Sequence, residues 1–254
     1  MSSFSTPAIM LRRIDFGDYD LIITFFTLNK GKVTIIAKSA KKSTKRFSGI
    51  LELFSVLHLV CSTSRGSRLP VLQEAVLKNP FSRIRADIKK TAYASYWAEL
   101  INDWLEQNKK QVRLYYLFQH VLEELDRGQD PEEAISILFQ MRFVAMSGLR
   151  PNLTHCSICK TEIEHIKRNR VNIDLTKGGI VCNRCDSRTA GNTYLSKGTI
   201  KQLLWIESKN LMEAKRIRFT PQALNEGLEF LETFVPYHLG KEPSSLSFLR
   251  QIRR

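Results

Sequence analysis

Residues 31–50 read GKVTIIAKSAKKSTKRFSGI. The first seven alternate, with Val33, Ile35 and Ala37 on one side and Lys32, Thr34 and Ile36 on the other, the period of a half-buried strand. The stretch then turns into cations: Lys38, Lys41, Lys42, Lys45 and Arg46, with no Asp or Glu between Asp20 and Glu52. A strand that runs into an unbalanced basic loop is built to face something negative.

The surrounding sequence gives that loop a setting. PAIMLRRI, DLIITFFTL, GKVTIIAKS, ILELFSVLHLVC and RLPVLQEAVL are rich in Ile, Val, Leu, Phe and Thr. Turn-forming segments separate them: DFGDY, NKGK, AKKSTKRFSG and STSRGS. Five short strands with no helix among them predict a small barrel or meander, with an open antiparallel sheet as the plain alternative. Residues 1–90 hold sixteen Lys or Arg against six Asp or Glu, so +10 of the chain's net charge of +14 sits in its first third. A polyanion or an anionic surface is the partner such a field selects.

From Ser82 the period becomes helical. Ile84, Ile88, Ala92, Trp97, Leu100, Ile101 and Trp104 carry one predicted helix to about Gln107, and a second runs over about 112–126, with Gly128 as its stop. Asp130-Pro131 opens a third, to about Ser147, that is apolar almost all round and so central in a bundle. Helical spacing returns at about 197–209 and 221–239, and the tail is basic. No apolar run approaches the ~18–20 residues of a membrane span. The first residues, MSSFSTPAIMLRRIDF, lack the pattern of an export signal.

Residues 152–190 are polar and carry four of the five cysteines. Cys156-x-x-Cys159 and Cys182-x-x-Cys185 stand 22 residues apart. Two such knuckles complete a tetrahedral thiolate shell for Zn²⁺, and VNIDLTKGGIVC between them reads as a hairpin turning at Gly178 and Gly179. With four sulfurs the shell is closed and the metal structural, and His155 and His165 are not needed as ligands. Reduced thiols without metal and a redox pair are the alternatives; the latter lacks its βαβ setting. Cys61 reads as a small apolar core residue.

Catalysis finds little support. Phosphate-binding glycine loops, a nucleophile elbow and a metalloprotease helix are all missing from the sequence. Asp15, Asp18 and Asp20 could mimic a Mg²⁺ site, but they share one short turn, where Asp side chains ordinarily hold backbone. No enzymatic activity is expected. The predicted nucleic-acid contacts are Arg12, Arg13, Lys38, Lys41, Lys42, Lys45, Arg46, Arg65 and Arg68, with Phe47 as a stacking platform among the aromatics Phe16, Tyr19, Phe25, Phe26 and Phe47.

This order of parts resembles one family. LRRIDFGDYDLIITFFTLNKGKVTIIAKSAKK is similar to the start of RecO, the bacterial recombination mediator. The likeness continues through SGILELFSVLHL, YASYWAELI, FQMRFVAMSGLRPNLTHCSIC, GGIVCNRC and YHLGKEPSSLSFL. Departures are Asp18 for a usual Glu, Ser39 for a usual Gly, and Met141 where a second Arg is frequent; some relatives lack the cysteines.

The resemblance implies an α+β multidomain protein: an N-terminal OB-fold β-barrel over 1–80, a C-terminal helical domain over 81–151 and 192–254, and an inserted zinc ribbon over 152–191. It implies binding of single- and double-stranded DNA, annealing of complementary strands, and work with RecR to load RecA onto DNA coated by single-strand binding protein. It also implies a cytoplasmic, nucleoid-associated location. The helical domain is expected to meet the acidic tail of single-strand binding protein, with Lys109, Lys110, Arg113 and Arg142 as candidates. Ordinary surface or bundle roles are the plain alternative for each. An RNA-binding or transcription-associated protein of the same two modules is the rival reading.

Overall fold

The computed structural model describes residues 2–43, 45–63, 66, 68–186, 193–214 and 216–253. Five strands come first: β1 (Ser2–Phe16), β2 (Asp20–Thr27), β3 (Gly31–Ala37), β4 (Val56–Thr63) and β5 (Val71–Asn79). They close in the order β1-β2-β3-β5-β4, with β4 returning to β1, and only the β3–β5 pair is parallel. β1 closes the ring because it serves two neighbours. Residues 2–9 pair with β4 and residues 8–16 with β2, and the register shifts between Met10 and Arg12 where the strand bends.

The predicted alternation fills the barrel. Ile23 and Phe25, Val33 and Ile35, and Leu57, Leu59 and Cys61 point into one core, which Ala40, Phe47 and Leu51 from the 38–55 segment join. Cys61 is fully buried, and burial pushes its thiol up to about 12, so it packs as a small apolar group. The fourth strand was expected from residue 50 and begins at Val56. Phe54 is left-handed (φ 68°) and donates its N–H to Met10 O at 3.0 Å, while Met10 N–H reaches Ser55 O at 3.2 Å. Those bonds hold 50–55 as a turn against β1.

The helices are α1 (Ser82–Arg85), α2 (Ile88–Trp104), α3 (Val112–Arg127), α4 (Glu132–Met146), α5 (Lys197–Ser208), α6 (Leu211–Ala214), α7 (Pro221–Leu239) and α8 (Ser244–Arg253). The single helix expected from Ser82 is two. Asp87 accepts from Lys89 N–H (2.8 Å) and Lys90 N–H (3.0 Å), which makes it the N-cap of α2 and ends α1 before it. Gly128 caps α3 in the left-handed conformation, as expected. α8 had no forecast, because SLSFLRQIRR is short and lacks an obvious cap. Its cap comes from afar: the Glu99 carboxylate on α2 accepts from the N–H and hydroxyl groups of Ser244 and Ser245. Burial pushes the Glu99 carboxyl up, but these hydrogen bonds outweigh it and leave it below its ordinary value.

Two compact units result: residues 1–129 with 243–254, and residues 130–242. This grouping differs from the three-part division by sequence. α3 packs on the barrel, with Tyr115 edge-on to Phe26 at 5.5 Å between centroids, and α8 packs on α2. In the second unit α4 is buried along most of its length against α5 and α7. The cysteine insert forms a three-stranded antiparallel sheet in the order β7-β6-β8, from β6 (Arg170–Asp174), β7 (Gly179–Val181) and β8 (Thr193–Ser196). The β6–β7 turn is the predicted hairpin. The Asp174 carboxylate accepts from Thr176 N–H, Thr176 Oγ1 and Lys177 N–H, and Gly178 takes φ 67°. Glu226 on α7 accepts from Ser196 N–H at 2.8 Å and Thr199 Oγ1 at 2.6 Å, which ties β8 and the start of α5 to the bundle. Among the described residues no helix is long and apolar enough to cross a membrane.

Candidate nucleic-acid interface and metal centre

The basic loop is held in a defined shape. The Asp20 carboxylate, at the first residue of β2, accepts Ser39 N–H at 2.7 Å, and Lys41 N–H reaches Tyr19 O at 3.0 Å. Residues 40–42 form one 3₁₀ turn, and Ser43 Oγ accepts from the N–H groups of Arg46 (3.0 Å) and Phe47 (3.2 Å). Ser39 sits at φ 53°, ψ 27°. Glycine takes that left-handed conformation without steric cost and serine does not.

The cations differ in their commitments. Lys41 pairs with Asp15 at 2.8 Å. Lys42 Nζ lies 3.2 Å from the centre of the Tyr19 ring. Arg46 donates to Lys38 O at 3.2 Å and lies 4.7 Å over Phe47. Lys38, Lys45, Arg12 and Arg68 are exposed. Arg13 donates to Leu51 O at 2.6 Å and sits 3.4 Å from Glu52, which ties it to the barrel's own turn. Arg65 lies outside the described residues.

Phe47 corrects the sequence reading. Its ring is 4% exposed and belongs to the barrel core, so it cannot stack on a base. A residue one step past a basic run faces inward because it joins Ala40 and Leu51 in the barrel core. The exposed aromatics beside the loop are Phe16 (52%) and Tyr19 (44%). Phe25 lies inside the barrel, while Phe26 lies outside it and is covered by Tyr115. Asp15 and Asp20 hold the basic loop, a role the sequence did not reveal because their partners are some 20 residues distant. Among the described residues these aspartates form no cluster able to hold a metal.

Of the candidates for an acidic tail, Lys109 pairs with Glu106 at 2.7 Å, and Lys110 and Arg113 are exposed at the α2–α3 loop and the start of α3. Arg142, on α4, is taken up internally. It donates to Ile206 O at 2.7 Å and also to Lys209 O, the last carbonyls of α5. That is the work of a cation at a helix C-terminus, where carbonyls lack partners.

The cysteines meet as predicted. The four Sγ atoms all lie within 4.8 Å of one another, with Cys159 and Cys182 at 3.6 Å. Zn–S bonds of about 2.3 Å in a tetrahedron place sulfurs about 3.8 Å apart, so the donor set fits such an ion. Both knuckles fold alike: Lys160 N–H reaches Cys156 O at 3.0 Å, and Asp186 N–H reaches Cys182 O at 2.9 Å. They are joined by Ser157 N–H to Ile180 O at 2.8 Å and by Cys182 N–H to Cys156 Sγ at 3.3 Å. The Thr161 hydroxyl holds the Cys159 thiol down to about 6, while its hydrogen bond to Cys159 holds Cys185 up at about 12. Like charges crowd here, and a cation relieves them. His155 Nδ1 is engaged with Thr154 Oγ1 at 3.0 Å, and neither it nor His165 joins the four sulfurs.

A closed five-stranded barrel of this strand order, with a basic loop between β3 and β4, defines an OB-type module of the kind that binds nucleic acid along its second and third strands; the same chain carries helices and a four-cysteine cluster able to hold a metal ion. Family models agree in detail: "Recombination protein O N terminal" matches residues 1–81 and "Recombination protein O C terminal" matches residues 85–247. The chain is 44% identical over 258 residues to DNA repair protein RecO of Desulfosudis oleivorans, covering 100% of this chain and 99% of that protein. It is 43% identical over 255 residues to the protein of that name from Desulfatibacillum aliphaticivorans, with the same coverage. The corresponding protein of Syntrophus aciditrophicus is 34% identical over 255 residues, covering 100% of this chain and 97% of that one. The chain belongs to the RecO family.

Proposed function

We propose that this protein is a recombination mediator in DNA repair, without catalytic chemistry of its own. It binds single- and double-stranded DNA through the basic barrel, anneals complementary strands, and with RecR helps RecA onto DNA coated by single-strand binding protein. It meets that protein's acidic tail through its helical part and acts in the cytoplasm, on the nucleoid. Residues 1–80, the helical segments and the 152–191 ribbon are its functional modules. The observation that carries the reading is the ordered loop of Lys38, Lys41, Lys42, Lys45 and Arg46 beside exposed Tyr19.

The mechanism is electrostatic. Cations neutralise phosphates on two strands and release counterions, which lowers the repulsion that opposes pairing. Exposed Phe16 and Tyr19 assist capture of single strands by stacking and have nothing to stack on in the product duplex. The four cysteines hold Zn²⁺, which fixes the ribbon's fold and leaves no open position for chemistry. The test is strand annealing of complementary oligonucleotides, with and without single-strand binding protein. Competition between DNA and RNA of one sequence separates this reading from an RNA-binding one, since a 2′-OH reader favours RNA.

A further inference from the structure

The α2–α3 loop is bound to the barrel by backbone. Asn108 N–H reaches Lys32 O at 2.9 Å, and Gln107 bridges Lys32 in parallel fashion along the edge of β3. Gln107 Nε2 reaches Thr34 Oγ1 at 3.4 Å, and Thr34 Oγ1 lies 3.4 Å from Thr24 Oγ1 on β2. The approach is possible only because residue 31 is glycine. A Cβ there would lie 1.9 Å from Lys109 O, and φ is +69°. The loop thereby extends the outer β2–β3 face and ends it in Lys109, Lys110 and Arg113. Exposed Tyr116 follows one turn into α3 at 53%.

The two ends of this face are both basic. β3 has seven residues, so Lys38 and the cationic loop lie roughly 23 Å along the strand from Gly31 and the docked loop. Between them the outer face carries the pairs Ile22–Ile36 and Thr24–Thr34, with Gln107 of the docked loop beside Thr34. Lys110 and Arg113 show no carboxylate partner among the described residues.

We propose that the α2–α3 loop is a second anchor for the DNA backbone, so that one strand is held at both ends of the β2–β3 face. This rests on the barrel's being the DNA-binding module. It assigns Lys110 and Arg113, with the aromatic Tyr116, to nucleic acid and away from an acidic protein tail. It gives the bound strand a defined path, across the barrel from the 38–46 loop to the start of α3.

Two variants test it by fluorescence anisotropy with single-stranded oligonucleotides of about 4 to 16 nucleotides, the range of site sizes of such barrels. Lys110→Gln with Arg113→Gln takes two cations away from the phosphates and lowers the slope of log K against log salt by about 1.4 on long oligonucleotides. On the shortest, which cannot span both ends, the effect disappears. Gly31→Ala leaves the charge unchanged but displaces the loop, and its affinity for long oligonucleotides falls as well; thermal melting checks that it folds. Wild-type affinity and slope for the double variant overturn the proposal, as does loss of binding to an acidic peptide with DNA binding intact. A parallel variant with Lys42, Lys45 and Arg46 changed to Gln separates the outcomes. If it binds weakly while the double variant binds normally, the barrel reading stands and the second anchor falls. If both bind normally, the barrel reading falls too.

Discussion

Changing Lys38, Lys42, Lys45 and Arg46 to Gln should cost DNA affinity with almost no cost to the fold. Their side chains contribute little to the barrel: Lys38 and Lys45 are exposed, Lys42 rests on an exposed ring, and Arg46 makes one surface hydrogen bond and lies over the ring of Phe47. Exposed interactions of this kind are worth about 0–1 kcal/mol each, and removing like charges offsets part of that. For binding, each cation taken away from a phosphate lowers the salt slope by about 0.7 on single strands and about 0.9 on duplex. Neutralising all four therefore removes about 2.8 from the single-strand slope and about 3.6 from the duplex slope. Lys41 is left in place because Asp15 already neutralises it, so Lys41→Gln alone should shift the slope by much less than about 0.7. The assay is anisotropy of a labelled oligonucleotide across a salt series, with a denaturation curve beside it. A slope equal to that of the wild-type protein, in a variant that melts normally, would refute the assignment of these side chains to phosphates.

Four further outcomes follow from the geometry. Ser39→Gly should stabilise the first unit by about 0.5–1 kcal/mol in chemical denaturation, since glycine relieves the left-handed backbone at φ 53°. Cys156→Ser, or a strong chelator, should remove one bound metal per chain and unfold the ribbon, read by metal analysis and proteolysis. Metal binding displaces protons from the thiols, so it should weaken as pH falls. Glu99→Gln should loosen α8 by about 1 kcal/mol and speed cleavage of the C-terminus. Because the folded Glu99 carboxyl lies below its ordinary 4.5, its contribution is complete above that value and is lost as pH falls through the folded one.

The barrel was legible because the inner positions of β2, β3 and β4 alternate and its turns are marked, and the four-cysteine cluster because two C-x-x-C knuckles leave little choice of partner. The helix end at Gly128 was a local signal and held. What escaped the sequence depends on residues far apart along the chain. Phe47 reads as exposed from its basic neighbours, yet it belongs to the barrel core. Asp20 looks like a turn residue and instead fixes Ser39. Glu99 caps a helix that begins 145 residues later. Arg142 resembles a free cation in sequence, whereas the unpaired carbonyls of α5 claim it. Gly31 looks like an ordinary turn glycine, and only the close approach of Lys109 shows why no larger residue fits.

The most direct measurement is the rate at which the purified protein anneals two complementary oligonucleotides, compared with a variant in which Lys41, Lys42, Lys45 and Arg46 are all Glu. The prediction is rapid annealing by the wild-type protein that fades as salt is raised, and none by a variant that keeps its fold and its metal. Equal rates for the two proteins would contradict the claim that the basic barrel loop is what engages DNA.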